Sequence, residues 1–265
     1  MKHSLLTRFG FTLVEMLTVI AIIGILAALM AGAMVSVRAR VQKAAISAEI
    51  KQLEMALEAY KTQYGEYPPQ GGTAAEDTAA VKRHLAKAYP RASGLNVSVK
   101  PEYALVFWLG GPIKNGRPIG FSKNPANPDL SGSDTTNPRS APLFDFNPAQ
   151  LTVNGNGPFA TYASKTGGAP YVYFRAKVTN GTTSYSGSYT DNQQTISPYF
   201  KKLTSPTDGT SFATGDVWYG EKRFQIISPG LDGRYGMGGN VNAAVKNSDA
   251  FDNQTNFGDI NDLAD

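Results

Sequence analysis

The stretch Gly10-Phe11-Thr12-Leu13-Val14-Glu15 opens onto Met16 to Val35, twenty consecutive residues without a charge, among which only Thr18 is markedly polar. At 1.5 Å per residue that run makes roughly 30 Å of helix, the thickness of a bilayer core. Met1 to Gly10, upstream of it, is short and basic, with Lys2 and Arg8. Since the basic side precedes the span, the positive-inside rule places the N-terminus in the cytoplasm and the bulk of the chain outside. A secretory signal peptide has a shorter apolar region, with small residues at a cleavage site behind it. Here the apolar run passes directly into a polar helix. A plain membrane anchor matches the length but leaves Glu15 without a purpose, because a carboxylate at the edge of an apolar helix is costly in a membrane and calls for a partner.

The totals remove several function classes. With 265 residues the chain is long enough for one or two domains with a real core. Its net charge of +4 is too mild to argue for nucleic acid, and no basic stripe with interleaved aromatics occurs. The charge is polarised: Ser228 to Asp265 holds six Asp against Arg234 and Lys246, a local net of −4, so the remainder carries +8. There is no cysteine, hence no disulfide framework and no thiolate metal site. The two histidines are His3 and His84. A Ser-His-Asp arrangement has to use His84, and a multi-histidine zinc site needs more imidazoles than the chain downstream of Gly10 contains.

The Gly before an apolar residue, the Glu15 that follows, the long apolar run and the basic upstream segment together resemble the class III prepilin signature. That signature belongs to type IV pilins and to the pseudopilins of type II secretion. The resemblance implies that a prepilin peptidase cuts on the cytoplasmic side between Gly10 and Phe11 and methylates the new amine of Phe11. It also implies that the N-terminal helix drives assembly, with Glu15 as the assembly residue. The physical argument agrees: in a filament core built of apolar helices an unpaired Glu15 carboxylate is strongly destabilising. The amine of Phe11 on an adjacent subunit is a suitable counter-charge, and such a buried polar pair sets axial register.

Beyond the apolar run, Ile46, Ile50, Leu53, Leu57, Tyr60 and Tyr64 recur in steps of four and three, one stripe of an amphipathic helix. A single helix from Phe11 to Tyr64 is therefore expected, about 80 Å long, ended by Gly65 and Pro68-Pro69. Thr73-Ala74-Ala75-Glu76 reads as a capping box opening a short helix that ends by Pro90, with His84 exposed or half-buried on it. Pro101 to Gly111 reads as a helix whose Tyr103, Leu105, Val106, Trp108 and Leu109 plug the core. Residues 112–168 are rich in Pro, Gly, Asn and Ser and are expected to form a long surface excursion. Tyr171 to Val178 and Phe224 to Ile227 read as strands, with Thr182 to Thr190 and Asp216 to Tyr219 as their pairing partners. The fold class is thus α+β, the pilin-like arrangement in which a long N-terminal helix packs on a small antiparallel sheet with long loops. The organisation expected is a cleaved leader at 1–10, a membrane and assembly half at 11–37, an amphipathic half at 38–67 and a head at 68–265.

The acidic loop at 228–265 follows a strand and begins with turn chemistry, Ser228-Pro229-Gly230-Leu231-Asp232-Gly233. Calcium prefers carboxylate and carbonyl oxygens held by flexible Gly-containing loops, and the region offers that inventory without the spacing of an EF-hand. It resembles the terminal loop of type II secretion major pseudopilins, in which such a turn and a later acidic segment bind calcium. The resemblance implies Leu231 and Asp232 as ligands from the turn, with Asp252, or as second choice Asp249, from the later acidic segment.

The function expected is a non-enzymatic subunit of a type IV pilus-like or type II secretion pseudopilus filament. Its partners are further copies of itself, the prepilin peptidase, an inner-membrane assembly platform and, before assembly, membrane lipid. Its location is the inner membrane in a single pass, then an extracytoplasmic filament. The competing expectation is a minor pilin or adhesin with a binding site in the head-domain loops.

Overall fold

The computed structural model describes residues 11–72, 75–155, 157–191, 194–203, 212–236, 238–241 and 253–259. The chain divides into two compact units, Met1–Gln42 and Lys43–Asp265. Helix α1, Leu13–Tyr64, runs from the first unit into the second. In the first unit the window Leu13–Met30 has a mean hydropathy of 2.6, and none of it is buried.

In the second unit the stripe expected on α1 is the buried one. Ile46, Ile50, Leu53, Leu57 and Tyr60 are buried, with Tyr64 packed against them. The helix stops where Gly65 takes a φ of +79° and donates its N–H to the Lys61 carbonyl at 2.7 Å. A left-handed residue at this place satisfies an orphan carbonyl, and glycine adopts it without a Cβ penalty. The next carbonyls are occupied too: Pro68 O accepts the Tyr173 hydroxyl and Pro69 O accepts the Trp108 indole N–H, both at 2.8 Å.

Helix α2, Ala75–Ala88, and helix α3, Pro101–Gly110, follow. The capping box expected at Thr73 to Glu76 has its first two residues outside the described ones. Proline opens α3, and Gly111, with a φ of +79°, closes it by donating to the Phe107 carbonyl. Of the residues expected to plug the core, Leu105, Val106, Trp108 and Leu109 are buried, and half-buried Tyr103 packs against that core.

The strands are short. Hairpin β1 (Ile113–Lys114) with β2 (Arg117–Pro118) is followed by a 3-10 turn at Pro148–Gln150 and by β3 (Leu151–Val153) with β4 (Ala160–Tyr162). Then come β5 (Val172–Arg175), hairpin β6 (Lys177–Thr179) with β7 (Thr182–Ser184), and hairpin β8 (Tyr189–Asp191) with β9 (Gln194–Ile196). The remainder are β10 (Phe200–Lys201) with β11 (Val217–Trp218), β12 (Phe224–Ser228), β13 (Gln254–Thr255) and β14 (Gly258–Asp259). The central sheet has the order β14-β13-β12-β5 and is antiparallel throughout.

That sheet is covered on both faces. Tyr173, Phe224 and Ile226 point into the core shared with α1 and α3, while Val172, Phe174 and Ile227 point into a second core with Tyr199 and Tyr235. Gln225 is buried on the second face and is satisfied by main chain, accepting from Tyr199 N–H at 2.7 Å and donating to Tyr199 O and Tyr219 O.

Three expectations are corrected. The strand read as Tyr171 to Val178 is broken after Arg175, and its last residues belong to the separate β6–β7 hairpin. The segment at Asp216 to Tyr219 supplies β11, which pairs with β10 rather than with β5 or β12. Residues 112–168 are an organised part of the head, with two hairpins and a braced turn. In that turn the Arg139 guanidinium bonds the Asp129 carboxylate, Asp134 O at 2.7 Å and Gly120 O at 2.8 Å. Burial alone raises the Asp129 carboxyl, but Arg139 and the N–H groups of Asp134 and Ser133 bring it down to about 2.

Candidate functional site

The five residues from Phe11 to Glu15 form the start of α1. Phe11 is 73% exposed, and Leu13 is the first helical residue. Thr12 and Glu15 satisfy each other across three positions. Thr12 N–H donates to Glu15 Oε2 at 2.8 Å, Thr12 Oγ1–H donates to the same oxygen at 2.7 Å, and Glu15 N–H donates to Thr12 Oγ1 at 3.2 Å. This is a reciprocal capping box, which gives helix-start N–H groups acceptors that they otherwise lack. The negative carboxylate also lies at the positive end of the helix dipole. Sequence reading assigned Glu15 to intersubunit pairing alone. The spacing Thr12-x-x-Glu15 was the signal for its second, local partner.

Both Thr12 donors converge on Oε2. Among the described residues Glu15 Oε1 receives no hydrogen bond, so it is the oxygen left for a cation. The helix behind it presents Leu17, Ile20, Ile23 and Leu29 at 51% exposure or more, among other large apolar side chains. Gly10, the other half of the expected cleavage site, lies outside the described residues.

The C-terminal turn is built as its composition suggests. Ser228 is buried, and its Oγ accepts from Gly230 N–H at 3.4 Å, while Asp232 Oδ1 accepts from Arg234 N–H at 2.8 Å. Asn253, fully buried, donates through Nδ2 to Tyr199 Oη and to the Tyr235 carbonyl, and its Oδ1 has no hydrogen-bond partner among the described residues. Of the four calcium ligands expected, Leu231 and Asp232 lie in this turn, and Asp249 and Asp252 lie outside the described residues. Among the described residues no three His, Cys, Asp or Glu side chains come together to hold a metal ion. The unpartnered Asn253 oxygen is the feature here that suits an oxygen-seeking cation.

The position of His84 corrects an expectation. It is buried, not exposed or half-buried, with Nε2 at 2.7 Å from the Tyr60 hydroxyl and Nδ1 at 2.8 Å from Glu66 Oε1. Glu66 Oε2 in turn pairs with Arg175 at 3.0 Å. The carboxylate acceptor requires the proton on Nδ1, so Tyr60 donates to Nε2 and the neutral ring is satisfied at both nitrogens. Burial pushes the His84 pKa down, against the opposing pull of Glu66. The outer side of this chain of groups borders a cleft of about 530 Å³ whose walls include Asp77, Arg83, Arg175 and Lys177.

Comparison with protein-family models matches residues 7–31 to the prokaryotic N-terminal methylation motif. Comparison with curated proteins and with solved structures gives no match. The matched segment contains Gly10, Phe11, Thr12 and Glu15 and ends inside the exposed apolar run.

Proposed function

We propose, from a chain that carries the class III prepilin signal of the type IV pilin and pseudopilin family, that this protein is a non-enzymatic filament subunit. Prepilin peptidase cuts between Gly10 and Phe11 and N-methylates Phe11. Before assembly the subunit sits in the inner membrane, N-terminus inside and head outside. It then polymerises through its N-terminal helix on an inner-membrane platform into a type IV pilus-like or type II secretion pseudopilus filament. The observation that carries this reading is an exposed apolar helix whose first turn holds a carboxylate with one oxygen unused.

Glu15 tests it. In Glu15→Ala the apolar span is intact, so insertion and processing proceed, but the amine of Phe11 on the neighbouring subunit loses its counter-charge in a dry core. Leaving one partner of a buried pair costs about 3–5 kcal/mol, enough to reduce filament yield to roughly a tenth or less. Wild-type yield in that variant contradicts the role given to Glu15.

The turn from Ser228 to Gly233 supports a secretion pseudopilin over an adhesive pilin. With that choice we propose calcium at the C-terminal loop, held by Leu231, Asp232, Asp249 and Asp252. The second reading, a minor pilin or adhesin, is favoured by the polar cleft beside His84 and Arg175. Abundance separates them, since a major subunit lines the whole filament and a minor one caps it.

A further inference from the structure

We infer that Arg38 and Arg40 bind the phosphate groups of anionic phospholipids at the outer end of the spanning segment. The inference rests on the reading of α1 as a membrane span. From Leu13 to Val37 the only charge is Glu15, and Arg38 and Arg40 are the next ones, both exposed. Met16 to Val37 covers about 33 Å at 1.5 Å per residue, close to the hydrocarbon thickness. Guanidinium groups at that point reach headgroup depth along their own flexible stems.

The helix itself offers these cations no counter-charge. The neighbours of Arg38 three and four residues away are Met34, Val35, Val41 and Gln42, and those of Arg40 are Ser36, Val37, Lys43 and Ala44. The first acid downstream is Glu49, whose carboxylate already accepts from Gln150, Tyr162 and Tyr171. Positive-inside bias accounts for Lys2 and Arg8 upstream, but not for an equal pair on the side that the proposed orientation places outside.

The spacing selects the partner. Residues two apart on an α-helix point roughly 200° apart, so the two guanidinium groups leave opposite sides of α1. A protein docked on one face reaches one of them. Lipids surround the helix and reach both, and a phosphate accepts a bidentate guanidinium well.

The full chain in lipid nanodiscs, probed by electron spin resonance with spin-labelled phosphatidylglycerol or phosphatidylcholine, tests this. The motionally restricted lipid at the protein surface is expected to be enriched in phosphatidylglycerol, each arginine contributing up to about five-fold. Arg38→Gln and Arg40→Gln should each lose part of the preference, and the double variant should keep only the part due to Lys2 and Arg8 on the other side of the span. Arg38→Lys/Arg40→Lys should keep a reduced preference, since charge remains and the fork is lost. Equal selection of the two lipids by the wild type, or an unchanged preference in the double glutamine variant, overturns the proposal while leaving the span intact. Absence of any restricted lipid overturns the span and this proposal together.

Discussion

His84 shows most plainly what one residue contributes. Its ring is held between Tyr60 and Glu66, and Glu66 continues to Arg175, so one imidazole ties α1, α2 and β5 together. Protonating Nε2 makes it a donor facing a donor, which leaves the Tyr60 hydroxyl proton in the core without an acceptor. The folded chain therefore resists a proton that the unfolded chain accepts near pH 6.5. A group whose folded pKa is depressed gives stability that is present above the unfolded value and is lost as pH falls below it. The slope approaches, at most, about 1.4 kcal/mol per pH unit. Melting of the full chain in detergent should fall measurably from pH 7 to pH 5 in the wild type and much less in His84→Gln. An equal fall in both contradicts the assignment. The burial was legible, since His84 lies three residues after Val81 on the face that carries Leu85. In the same way the spacing of Thr12 and Glu15 carries a capping-box signal of its own.

At the scale of elements, amphipathic α1 and apolar α3 were readable because each repeats one pattern over many residues. β5 and β12 were readable for another reason: both faces are buried, so Val172-Tyr173-Phe174 and Ile226-Ile227 run apolar without alternation. Their two-residue neighbours carry no period at all, and the β10–β11 pairing had no sequence signal. The segment 112–168 was misjudged because its order comes from polar bonds such as Asp129 to Arg139, which composition alone reads as loop. Its tight Asn115-Gly116 turn, with φ of +51° and +74°, was a legible hairpin signal. Glu49 was unforeseen: it receives Gln150, Tyr162 and Tyr171, three donors brought from over a hundred residues away. The C-terminal turn carries the element-scale prediction. A cation bound only by the native state raises stability by about 2.7 kcal/mol at one hundred times its dissociation constant. Melting of the full chain should rise by about 5–10 °C in calcium relative to chelator. Identical melts in the two conditions contradict the calcium site.

For the whole molecule, the two units differ in what they bury. Met1–Gln42 holds an apolar helix window, Leu13–Met30, with none of it buried, and Lys43–Asp265 holds two cores of its own. The contrast between Met16 to Val35 and the polar remainder was itself legible. The same contrast explains why the filament reading rests on the first unit and the choice of filament on the second. Everything in that reading depends on the bond between Gly10 and Phe11, because its cleavage creates the amine that can meet Glu15. Mass spectrometry of the mature protein, purified from the membrane of a cell with prepilin peptidase, decides it. The expected N-terminus is N-methylated Phe11, with no peptide from Met1 to Gly10. A mature chain that still begins at Met1 contradicts the account.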